Sequence, residues 1–138
     1  VNNTLTILVV EDTPADQYIA RRRLQQRWPD VNVVIASDGQ EAIDWLEQAK
    51  GMPDLILLDI HMPGMGGHQF LQSWFSQRCM EIPVVVMLTS SAQEDDRNRS
   101  ARYSNVKGFI LKPLNPSDLS GLPELMLGEG KLAGERAA

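Results

Sequence analysis

Apolar residues fall into five short runs along the chain: Leu5 to Val10, Val31 to Ala36, Leu55 to Leu58, Val84 to Leu88 and Val106 to Leu111. Several are unbroken Val/Ile/Leu stretches rather than alternating ones, the pattern of strands buried on both faces of a parallel sheet. Between them the apolar spacing lengthens to that of helices. Thr13-Pro14-Ala15-Asp16 reads as an N-cap, a proline at the first helical position and an acid in the first turn. Ala20, Leu24 and Trp28 then recur every four residues. Asp38 and Glu41 resemble a capping pair ahead of Ala42, Leu46 and Ala49 on one helix face. Phe70, Leu71, Trp74 and Phe75 form an apolar stripe in a third helix and are expected in the core. The fourth helical segment, Gln93 to Tyr103, is strongly charged, with Ala92, Ala101 and Tyr103 as its few anchors. The fifth opens well at Asn115-Pro116-Ser117-Asp118, but Gly121 and Pro123 interrupt it. Strand and helix alternating five times predict a doubly wound α/β fold.

Composition narrows the function classes more than the fold. A length of 138 residues suits one domain with one substantial core. The Gly, Ala and Glu content after residue 127 reads as a frayed tail, placing the domain at 4–127 and the tail at 128–138. A formal charge of −5 gives no reason to expect direct nucleic-acid binding. The local run Arg21-Arg22-Arg23 is read as a solvated helix surface. A single cysteine, Cys79, excludes an internal disulfide and lacks the company a zinc site needs. No apolar run approaches the roughly 18 residues of a membrane span, and no signal peptide opens the chain. The expectation is therefore a cytoplasmic protein without membrane contact. A start at Val1 rather than Met leaves open whether the chain stands alone or was excised from a larger protein.

The chemistry collects at strand ends. In an open parallel sheet, ligands bind beyond the carboxyl ends of the strands, near the point where strand order reverses. Glu11 and Asp12 follow the first run, and Asp59 follows the third, ahead of Ile60-His61-Met62-Pro63-Gly64. Thr89, Ser90 and Ser91 follow the fourth, and Lys112-Pro113 the fifth. Taken singly, each is ordinary: an acid after a strand is usually a cap or turn residue, and a lysine a surface charge. Together they are harder to dismiss. Three crowded carboxylates repel one another, and a hard divalent cation such as Mg²⁺ relieves that cost. An opposing lysine adds positive charge, and the set suits the oxygens of a phosphoryl group.

Four blocks in order resemble the receiver domain family of two-component response regulators. They are Val-Val-Glu-Asp at 9–12, Leu-Ile-Leu-Leu-Asp-Ile-His-Met-Pro-Gly at 55–64, Val-Met-Leu-Thr-Ser at 86–90 and Gly-Phe-Ile-Leu-Lys-Pro at 108–113. The resemblance runs from residue 5 to about 126 and implies a flavodoxin-like (βα)5 sandwich with a parallel sheet of order 2-1-3-4-5. It implies that Asp59 accepts a phosphoryl group from a histidine kinase or another phosphodonor. Asp12, Asp59 and the backbone carbonyl of His61 would hold Mg²⁺, with Glu11 acting mainly through water. Lys112 would pair with phosphate oxygens, and Thr89 would hydrogen-bond the phosphoryl group. Movement of Thr89 would be coupled to Phe109 and so to the surface of the fourth helix, fifth strand and fifth helix. A cis bond is implied at Lys112-Pro113.

The chain also departs from the family pattern. Its acidic pair is Glu-Asp rather than Asp-Asp. Gly66 stands where many receivers carry an aspartate, which should loosen the start of the third helix. His61 is unusual beside the site and is expected to face solvent. Tyr103-Ser104-Asn105 replaces a small-residue turn, and the broken fifth helix puts the usual dimer face in doubt, so a homodimer stays open. An alternative from the binding class is a pseudo-receiver that signals without phosphorylation; the filled acidic, hydroxyl and lysine positions weigh against it. A phosphatase of the haloacid dehalogenase type needs an Asp-x-Asp motif after the first strand, which Glu11-Asp12-Thr13-Pro14 lacks. A flavodoxin needs a Ser/Thr/Gly-rich phosphate loop there, also missing.

Overall fold

Each apolar run becomes a strand. In the computed structural model these are β1 (Thr6–Val10), β2 (Asn32–Ala36), β3 (Leu55–Asp59), β4 (Val84–Thr89) and β5 (Val106–Leu111). The helices are α1 (Pro14–Arg27), α2 (Gly39–Gln48), α3 (Gly67–Phe75) and α4 (Glu94–Ser100), then two single turns, α5 (Pro116–Leu119) and α6 (Leu122–Leu125). The structure describes residues 4–49, 51–76, 83–90 and 94–126, with the side chains of 94–96 left aside. Cys79, Ser91, Ala92, Gln93 and the tail from 128 lie outside the described residues. All strand pairs are parallel, in the order β2-β1-β3-β4-β5.

Alternation along the strands sorts the core into two layers. Ile7, Val9, Leu55, Leu57, Val84 and Val86 point to one face, where Ala20 and Leu24 of α1 and Leu119 and Leu122 of the last turns cover them. Leu8, Val10, Ile56, Leu58, Val85 and Met87 point to the other, against Ala42 and Leu46 of α2 and Phe70, Leu71, Trp74 and Phe75 of α3. The aromatic stripe of α3 is thus core, with Phe70 and Phe75 packed edge to face at 6.4 Å. Burial of every residue of β3 and β4 follows from coverage on both faces.

Helix starts show how local chemistry sets the boundaries. The Asp38 side chain accepts from the Glu41 N–H at 2.9 Å, while the Glu41 carboxylate accepts from the Ser37 N–H, so the expected capping pair forms with a one-residue offset. As expected, no side chain of residue 66 caps α3. Gln69 Oε1 accepts from the Gly66 N–H at 3.4 Å, and the Gly67 N–H donates to the Ile60 carbonyl at 3.0 Å. Backbone and side-chain acceptors replace the missing cap. A Cβ on Gly67 would lie 2.5 Å from the Asp59 carbonyl oxygen, so only glycine lets α3 begin this close to the end of β3. Gly121 and Pro123 do break the fifth helix, leaving two turns of four residues each.

Candidate functional site

The strand order places the carboxyl ends of β1 and β3 side by side, with β4 next to β3, and the sequence puts an acid or hydroxyl at each. Glu11, Asp12 and Asp59 offer carboxylate oxygens that all lie within 4.8 Å of one another. Asp59 is 3% exposed and Glu11 1%, so two of the three acids sit at the floor of the rim. Above them opens a cleft of about 420 Å³, lined by Asp12, Thr13, Asp16, Asp59, His61, Ser90, Lys112 and Pro113.

Backbone geometry fixes the lysine. The Lys112 N–H donates to the Thr89 carbonyl at 2.8 Å, extending the β4–β5 ladder by one bond. The Lys112-Pro113 peptide is cis, as the resemblance implies. Lys112 Nζ then reaches Glu11 Oε2 at 2.7 Å, Asp59 Oδ2 at 3.2 Å and Asp16 Oδ2 at 3.2 Å. Asp59 Oδ1 accepts from the His61 N–H at 3.4 Å. Glu11 Oε1 accepts from the Thr13 N–H at 3.1 Å, and its backbone carbonyl accepts from Gln17 Nε2 at 2.6 Å. Burial pushes the Glu11 carboxyl up to about 6, aided by the Asp59 charge and opposed by Lys112 and the Thr13 N–H. Burial would lower the Lys112 ammonium, but Glu11 and Asp59 overcome it and hold it well above the ordinary lysine range.

One ammonium therefore pairs with three carboxylates, those of Glu11, Asp16 and Asp59, while Asp12 brings a fourth within 4.8 Å of Glu11 and Asp59. Hard oxygen donors, close spacing and surplus negative charge fit a divalent cation of the Mg²⁺ type.

The expected residues gather unequally. Glu11, Asp12, Asp59 and Lys112 form one network, and His61 stands exposed at its edge. Thr89 is buried at the end of β4, while Ser90 beside it lines the cleft. Phe109 is half-buried on the α2–α3 side of the sheet, and the Arg97 guanidinium lies 5.1 Å from its ring centroid. Asp16 is the member that sequence reasoning missed, having been read as a first-turn acid of α1. The available signal was its spacing: Asp16 lies one helical turn beyond Asp12, on a helix whose start faces the rim. A second cleft of about 510 Å³ lies beyond His61, lined among others by Met62, His68, Gln69 and Arg99, and none of the four carboxylates lines it.

Comparison with known proteins agrees with this geometry. The family model of the response regulator receiver domain matches residues 7–122. A probable methanogenesis regulatory protein, FilR2 of Methanothrix harundinacea, is 37% identical over 119 residues, 82% of this chain and 75% of that one. The nitrate/nitrite response regulator protein NarL of Escherichia coli is 34% identical over 115 residues; the match covers 83% of this chain but spans 50% of NarL. The structure of the phosphorylated cyanobacterial phytochrome response regulator RcpA superposes with a TM-score of 0.73 at 30% identity, covering 94% of this chain and 91% of that one. No helix among the described residues is long and apolar enough to cross a membrane. Sequence match, strand order and superposition agree, and the chain belongs to the response regulator receiver domain family of two-component systems.

Proposed function

We propose that this chain is a phosphorylation-switched receiver in which Asp59 takes a phosphoryl group from a histidine kinase or phosphotransfer protein. The observation that carries the reading is the setting of Asp59. Its carboxylate is buried at the end of a central strand, 3.2 Å from Lys112 Nζ, within 4.8 Å of two further acids and open to a cleft. Such a carboxylate is oriented by its neighbours and reachable by a phosphodonor through the cleft.

In the proposed step an Asp59 oxygen forms the bond to phosphorus in line with the donor's leaving atom, the imidazole nitrogen of a phosphohistidine or the oxygen of acetyl phosphate, which leaves with its electron pair. Lys112 offsets charge on the equatorial oxygens, and Thr89 hydrogen-bonds one of them after moving inward. Asp12, Asp59 and the His61 carbonyl would hold Mg²⁺, with Glu11 behind them acting through water. When bound, the ion supplies charge neutralisation at the transferring group. Loss of the phosphoryl group to water resets Asp59, so the chain is a signalling phosphoacceptor and not a turnover enzyme.

Output would pass from Thr89 through the β4–β5 ladder to Phe109 and the α4–β5–α5 surface, which meets an output protein or domain. The receiver domain would occupy residues 4–127 and act in the cytoplasm. The test is Mg²⁺-dependent incorporation of phosphate from acetyl phosphate, with Asp59→Asn as the control. Labelling of the wild type alone is expected. Equal labelling of both proteins would remove Asp59 from the role.

A further inference from the structure

Asp16 belongs to none of the roles above, yet it touches the charge that those roles depend on. It stands in the first turn of α1, its side chain about one-third exposed (32%), with Oδ2 3.2 Å from Lys112 Nζ. The same ammonium lies 3.2 Å from Asp59 Oδ2, so two carboxylates hold it at equal distance. Asp16 comes from a helix and Asp59 from a strand, and both line the cleft. Helix α1 is held to the rim at the next residue, where Gln17 Nε2 donates to the Glu11 carbonyl at 2.6 Å and to Ser37 Oγ at 3.4 Å. The backbone beside Asp16 is thereby anchored to the rim.

We infer that Asp16 is a positioning residue that restrains phosphorylation by competing with the incoming phosphoryl oxygens for Lys112. A lysine ammonium has three donors. Asp16 and Asp59 each accept from one of them at 3.2 Å, and Glu11 Oε2 lies 2.7 Å from the same nitrogen as an ion-pair partner. An arriving phosphoryl group needs at least one of them, and Asp16 is the most exposed of the three carboxylates, hence the least costly to release. Transfer then proceeds with Lys112 swinging from α1 toward the phosphoryl oxygens. The first turn of α1 loses its partner across the cleft as this happens. Asp16 sets how readily the ammonium becomes available, and through it the rate at low donor concentration. A bland role remains alongside, since an acid in the first turn also favours the helix dipole, but that role does not act through Lys112.

This inference rests on the assignment of Asp59 as phosphoacceptor, and the experiment separates the two. Initial rates of Mg²⁺-dependent labelling by acetyl phosphate are measured for the full chain, Asp16→Asn, Asp16→Glu, Lys112→Ala and the Asp16→Asn/Lys112→Ala pair. Asp16→Asn is expected to label about two- to five-fold faster at low donor, the size of a partly exposed ion pair. The gain should shrink at high salt. Asp16→Glu should restore the wild-type rate. In the Lys112→Ala background, Asp16→Asn should change the rate little. An unchanged or slower Asp16→Asn protein overturns the inference, as does the same acceleration with and without Lys112, which would mean simple repulsion of the donor. If the wild type fails to label at all, the Asp59 assignment itself fails; a wild type that labels beside an indifferent Asp16→Asn sinks this inference alone.

Discussion

The rim at the ends of β1 and β3 and the face around β5 are built on opposite terms. At the rim, β1 and β3 each have a strand on both sides, every residue of β3 is buried, and Lys112 ties three carboxylates together. At the other face, β5 is an edge strand with β4 as its one neighbour, and the ladder between them shifts register at Val85/Val86. Leu111 is 55% exposed, Phe109 is half-buried under an arginine, and the last helix is split into two turns. A residue held from both sides gives precise placement, which phosphoryl chemistry needs. A strand held from one side opens at lower free energy, which a switch needs. The same sheet supplies both because coverage falls off toward its edge.

That contrast can be broken most severely at the rim. Lys112→Ala leaves Glu11 and Asp59 buried without their counter-charge. It is expected to cost about 3–5 kcal/mol at neutral pH, as removal of one partner from a buried pair does. Denaturant unfolding with and without Mg²⁺ checks this, and the ion should recover much of the loss. Gly67→Ala comes next. Its Cβ would lie 2.5 Å from the Asp59 carbonyl oxygen, so α3 or the end of β3 must shift, at about 1–3 kcal/mol and with slower labelling of Asp59. Gly51→Ala, with open space around it, is the matched control.

A pH series sharpens the comparison further. Glu11 holds its proton more tightly when folded, at about 6 against 4.5. Its contribution to stability is therefore fully present below pH 4.5 and falls by about 2 kcal/mol in all as pH rises through 6. Unfolding free energies from pH 4 to 8 should show a decline in the wild type relative to Glu11→Gln, and Mg²⁺ should flatten it. The smallest effect belongs to the other face. Arg97→Ala removes the cation over the Phe109 ring, worth about 0.5–1 kcal/mol at an exposed site. Hydrogen exchange should quicken in β5 and stay unchanged in β3.

Much of this architecture is legible in the residues, for reasons that differ by region. Continuous Val/Ile/Leu runs mark β3 and β4 because strands covered on both faces have no polar side to interrupt them. The α3 stripe and the break at Gly121 and Pro123 follow from local periodicity and backbone chemistry. Glu11, Asp12, Asp59 and Lys112 are visible as a set because strand ends are predictable once the strands are. Asp16 was not, since its partner is 96 positions away and the contact depends on how α1 docks. The acceptor at the start of α3 was hidden for a similar reason: the Ile60 carbonyl belongs to the preceding loop and not to a capping side chain. Arg97 over Phe109 likewise requires the packing of α4 beside β5, which its charged sequence does not announce.

The most direct test of the central claim locates the phosphoryl group. After labelling with acetyl phosphate and Mg²⁺, borohydride reduction converts an aspartyl phosphate to homoserine, which mass spectrometry of the digested chain can place. Homoserine at position 59 alone is the predicted result. Homoserine at Asp12 or Asp16, or a stable label with no reduced aspartate, would contradict it.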